Sequence, residues 1–85
     1  MKSGILLVDD ELNILRALER MLRRAGYEVF CANGAKEGLV VLEQQDINVI
    51  ITDFRMPEIN GAEFLKLAKR QSPHTVAMIL SAYSD

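Results

Sequence analysis

Short apolar runs that stop at an acidic or hydroxyl-bearing residue alternate along this chain with stretches of helical spacing. That alternation leaves few folds open. Ile5-Leu6-Leu7-Val8 is continuous and branched and runs directly into Asp9, which marks a strand buried on both faces. Leu12, Leu15, Leu18, Leu22 and Ala25 then recur at three- and four-residue steps, the spacing of a helix with one apolar face. Gly26 stands where such a helix ends in the left-handed conformation. Residues 27–31 read as a second strand and Asn33-Gly34 as a turn. Ala35, Leu39, Val41 and Leu42 supply a second helix that ends near Gln44. Residues 47–52 form the third strand, which stops at Asp53. Pro57 puts residues 54–59 in a loop. Asn60 is placed to cap the next helix, with Glu63 reaching back in the manner of a capping box. Phe64, Leu65 and Ala68 give that helix its apolar face, and Ser72-Pro73 stops it. Residues 75–80 form a fourth strand ahead of Ser81. The order β-α-β-α-β-α-β predicts an α/β fold with a parallel sheet covered by helices on both faces.

Composition removes several function classes. With 85 residues, 49% apolar and 26% charged types, the chain is a single globular unit and not a disordered one. One cysteine and one histidine exclude a disulfide framework, a cysteine-rich zinc site and a paired-histidine metal site. No apolar run approaches the roughly 20 residues of a membrane span. The opening MKSGILLVDDE meets two acids too soon for a secretory signal. A net charge of -2 argues against direct nucleic-acid binding, because neutralising phosphates needs a basic excess. The expectation is a soluble cytoplasmic domain with no membrane and no nucleic acid among its partners.

Polar residues fall at one end of the predicted sheet. The first strand delivers Asp9 and Asp10, the third Asp53 and the fourth Ser81. Ligands of open α/β sheets bind beyond the carboxyl ends of the strands. Three carboxylates there repel one another, and a hard divalent cation such as Mg²⁺ relieves the repulsion. That ion leaves coordination positions for phosphate oxygens, and a carboxylate beside it can attack phosphorus.

These residues give the chain its resemblance. ILLVDDE, VIITDFRMPEINGAEFL and AMILSAYSD resemble the receiver domain of two-component response regulators, and the likeness runs through the whole sequence. The resemblance implies a flavodoxin-like, three-layer parallel sheet with strand order 2-1-3-4-5. It implies Asp53 as the phosphoacceptor, with Asp9, Asp10, Asp53 and the backbone carbonyl of Arg55 as ligands of Mg²⁺. It implies Ser81 as the hydroxyl that turns toward the phosphoryl group and Ala82 as the small residue that keeps the site accessible. The implied donor is a histidine kinase or a histidine phosphotransfer protein. The family's fifth strand, which carries a lysine to the phosphate, and its last two helices have no counterpart in the sequence. Residues 1–85 are therefore expected to be the N-terminal portion of a single receiver domain, truncated after the fourth strand, with no catalytic lysine.

Two other functions compete. A truncated receiver exposes its apolar fourth strand, which predicts self-association by edge pairing and a phosphorylation-independent dimerisation or interaction module. A Mg²⁺-dependent aspartyl-phosphate hydrolase also attacks phosphorus with an aspartate, but such enzymes space their two acids two residues apart, whereas Asp9 and Asp10 are adjacent. The chain is expected to take up a phosphoryl group and not to turn over as an enzyme. Arg16, Arg20, Arg23 and Arg24 on the first helix read as a solvated face, with Glu19 and Arg23 at ion-pair spacing. His74 reads as a solvated loop residue and Cys31 as a small core or rim residue.

Overall fold

The computed structural model describes residues 4–80. Seven elements follow one another: β1 (Gly4–Val8), α1 (Leu12–Arg24), β2 (Glu28–Ala32), α2 (Ala35–Gln44), β3 (Val49–Asp53), α3 (Gly61–Gln71) and β4 (Val76–Leu80). The strands form one sheet in the order β2-β1-β3-β4, and each neighbouring pair is parallel. Central β1 pairs Leu6 with Phe30 on one side and with Ile50 on the other. All five of its residues are buried, which is why that segment is apolar throughout instead of alternating.

Sheet alternation divides the core in two. Leu6, Val8 and Ile50 face α2 and α3 and pack with Ala35, Leu42, Phe64 and Ala68. Ile5, Leu7 and Val29 face α1 and pack with Leu15. Two helices cover the first face and one covers the second, so the second core is much the smaller. Leu12 is accordingly 57% exposed, and of the apolar stripe expected on α1 only Leu15 is fully buried.

Local signals end the helices as expected. Gly26 has φ +100°, a conformation that suits a residue without Cβ. Its N–H donates to Arg23 O at 3.0 Å, and Tyr27 N–H donates to Leu22 O at 3.1 Å. Asn60 Oδ1 accepts from Glu63 N–H at 2.8 Å and caps α3. The return bond from Glu63 is not among the hydrogen bonds of the described residues, so half of the expected capping box forms.

Strand boundaries differ from expectation by one or two residues. β2 runs one residue later, through Ala32. β3 begins at Val49, although Asn48 just before it already meets both neighbouring segments: its N–H donates to Gly4 O at 2.8 Å, its Oδ1 accepts from Gly4 N–H at 3.0 Å and its O accepts from Val76 N–H at 3.0 Å. β4 begins at Val76 because Thr75 is engaged in a buried polar knot. Thr75 Oγ1 donates to Ile47 O at 3.0 Å and lies 2.6 Å from Ser72 Oγ, and Lys69 Nζ donates to Thr75 O at 2.8 Å.

Candidate functional site

Parallel pairing sends the ends of β1 and β3 to the same edge of the sheet. Val8 is in register with Thr52, so the residues that follow, Asp9 and Asp53, stand side by side where β1 and β3 end. Asp9 N–H donates to Ala32 O at 3.1 Å, extending the β1–β2 contact by one residue. Its Oδ1 accepts from Glu11 N–H at 2.9 Å, which turns the chain toward α1. Asp9 is buried, Asp53 half-buried and Asp10 exposed. One carboxylate oxygen from each lies within 4.8 Å of the others.

At that separation two negative charges repel by between about 1 kcal/mol in water and about 3.5 kcal/mol at an effective dielectric near 20. The Asp9 carboxyl is pushed above its ordinary value, chiefly by burial. The Glu11 N–H works in the opposite direction, and the charges of Asp53, Asp10 and Glu11 add to the rise. This donor set fits Mg²⁺. It consists of oxygen only, its atoms are close enough to share one ion, and exposure on the Asp10 side leaves room for water and phosphate oxygens.

The β3–α3 loop leads away from Asp53. Arg55 lies there, exposed, two residues beyond Asp53. Thr52, fully buried, donates from Oγ1 to Asp53 O at 3.0 Å. The loop is closed at its base by Gly61 N–H donating to Phe54 O at 2.7 Å. Neither the Thr52 hydroxyl nor the Gly61 contact was expected from the sequence. Thr52 reads there as one more β-branched strand residue, and Gly61 as part of a motif without a stated contact.

Ser81 and Ala82 lie outside the described residues. The last described residue of β4, Leu80, pairs with Asp53. Lys69 is held at the α3–β4 connection, where β4 begins, and so at the opposite end of the sheet from the carboxylates. On α1 the four arginines are exposed, Arg23 pairs with Glu19 at 3.0 Å, and Arg23 also donates to Val29 O at 2.9 Å. His74 is exposed and Cys31 half-buried, as expected. Among the described residues no helix is long and apolar enough to cross a membrane.

Comparison with known proteins agrees with this geometry. The response regulator receiver domain family matches residues 5–85. The hydrogenase transcriptional regulatory protein HoxA of Bradyrhizobium diazoefficiens is 41% identical over 84 residues, covering 99% of this chain and 17% of HoxA. The chain thus spans 17–18% of the length of curated relatives such as HoxA and AtoC of Escherichia coli. A CheY-like receiver domain from Methanospirillum hungatei superposes with a TM-score of 0.94 at 32% identity, over 100% of this chain and 68% of that one. The response regulator TrrA of Thermotoga maritima, solved in complex with Mg²⁺-BeF, gives a TM-score of 0.90 at 34% identity, over 99% of this chain and 72% of that one. TrrA has also been solved in complex with the histidine kinase ThkA, with a TM-score of 0.89 to this chain.

Proposed function

This chain belongs to the response regulator receiver domain family, and from that membership we propose that it takes a phosphoryl group onto Asp53 from a histidine kinase or a histidine phosphotransfer protein. The observation that carries the reading is the convergence of Asp9, Asp10 and Asp53 within 4.8 Å at the carboxyl edge of a parallel sheet. Asp53 Oδ attacks phosphorus and forms an O–P bond. The P–N bond of the donor phosphohistidine breaks, and the leaving imidazole keeps the electron pair and takes up a proton. Asp53 becomes a mixed anhydride, and no other bond changes.

Asp9, Asp10, Asp53 and the Arg55 carbonyl would hold Mg²⁺, which supplies charge compensation and orientation for the transferring group. Asp53, half-buried, is fixed by the ladder yet open to a donor. Asp9, fixed by its bonds to Ala32 and Glu11, holds its carboxylate in place without the metal. In this reading Ser81 donates its hydroxyl to the phosphoryl oxygens, and Ala82 leaves the approach unobstructed. The support for a kinase partner is the TrrA–ThkA complex, and the support for Mg²⁺ is the Mg²⁺-BeF complex of TrrA together with the acidic cluster here. The chain would act once per phosphoryl group, as a cytoplasmic switch. Transfer from acetyl phosphate, with label followed in the protein, tests the proposal. Labelling should require Mg²⁺ and disappear in Asp53→Asn; equal labelling of the variant would overturn it.

A second reading has its own observation. Val76, Met78 and Leu80 project to the α1 face of the sheet and are 58%, 49% and 37% exposed, and Ile79 on the other face is 40% exposed. Among the described residues β4 has a neighbour on one side only. An apolar edge of this kind pairs with another chain, and the occupant we propose is a second copy joined through β4. Static light scattering over a concentration series checks it.

A further inference from the structure

The main chain of Asp53 is held more closely than a strand end requires. Thr52 Oγ1 donates to Asp53 O from within the core. From the other side, Gly61 opens α3 against the same peptide. A Cβ at Gly61 would overlap Asp53 O and lie 3.0 Å from Phe54 Cα and 3.2 Å from Asp53 C. These are backbone atoms, so no side-chain rotation relieves the overlap. The Gly61 N–H to Phe54 O bond draws the two segments together, and Asn60 fixes the helix start by accepting from Glu63 N–H.

We propose that Gly61 and Thr52 are positioning residues that clamp the Asp53–Phe54 main chain and thereby aim the Asp53 carboxylate and the Arg55 carbonyl at one point. The inference rests on the phosphoacceptor reading and adds to it a reason for glycine at position 61. φ at Gly61 lies outside the left-handed region, so space and not backbone freedom selects glycine there. Gly34 is the contrasting case, since its Cβ would meet nothing within 4 Å.

Displacing a reacting group by around 1 Å costs up to about 100-fold in rate. The test titrates the full chain with Mg²⁺ alone, followed by amide NMR shifts, and measures incorporation from acetyl phosphate in parallel. Gly61→Ala should bind Mg²⁺ about tenfold more weakly and take up phosphate about 10- to 100-fold more slowly, while keeping the amide spectrum of a folded chain. Gly34→Ala should match wild type in both. Wild-type affinity and rate in a folded Gly61→Ala would overturn the clamp and leave the phosphoacceptor reading standing. Absence of Mg²⁺ binding and of incorporation in the wild type would overturn both. If Gly61→Ala loses its native spectrum, Thr52→Val decides. Weakened Mg²⁺ binding in that near-isosteric variant supports the clamp, and unchanged binding and rate sink it.

Discussion

Asp9 shows how a single residue carries both a cost and a function. Its carboxyl is raised above the ordinary value mainly by burial. An acid raised on folding stabilises the fold when protonated. That contribution is fully present below the unfolded value near 3.8 and is lost as pH rises through the folded value. At neutral pH the metal-free chain therefore holds an ionised Asp9 against burial and two neighbouring aspartates. Asp9→Asn should melt at a higher temperature than wild type at neutral pH in EDTA, with the gap closing as pH falls toward the unfolded value. Added Mg²⁺ should raise the melting temperature of wild type far more than that of Asp9→Asn. A variant that melts below wild type in EDTA would contradict the sign. Asp9, Asp10 and Asp53 were legible in the sequence because each ends an apolar run. Thr52 was not, because a buried threonine reads like valine until its hydroxyl is seen to meet Asp53 O.

Elements were legible wherever periodicity and caps agreed. α2 and α3 start and stop where Asn33-Gly34, Asn60 and Ser72-Pro73 put them. The start of β4 shifted where a side chain took over from the ladder, as Thr75 does toward Ile47. The exposure of Leu12 was not legible either, since spacing marks a face without saying what covers it. The α3 cap gives a clean test of local energetics. Removing the Asn60 acceptor leaves Glu63 N–H to water, at a cost of about 1 kcal/mol. In a domain of this size, that lowers the melting temperature of Asn60→Ala by about 4–8 °C. Glu63→Ala should stay within about 0.5 kcal/mol of wild type, because its carboxylate makes no return bond among the described residues. A larger loss there in a thermal melt would show that the capping box is closed after all.

For the whole molecule, the order β2-β1-β3-β4 is the one the family resemblance implied, and it brings the acids to one edge. Among the described residues the same order leaves β4 outermost with its apolar residues exposed. A charge there should act as edge lysines do in natural sheets. Met78→Lys is expected to hold the chain at monomer mass across a concentration series in which wild type grows heavier. Identical curves for the two would remove β4 from the interface. The claim on which everything else depends is that phosphorus is carried by Asp53, and it can be read directly. The chain is incubated with acetyl phosphate and Mg²⁺ and reduced with borohydride, which converts an aspartyl phosphate to homoserine, and the peptides that carry Asp9, Asp10 and Asp53 are then sequenced by tandem mass spectrometry. The account predicts homoserine at position 53 alone, absent when EDTA replaces Mg²⁺. Homoserine at position 9 or 10, or none in a folded sample, would contradict it.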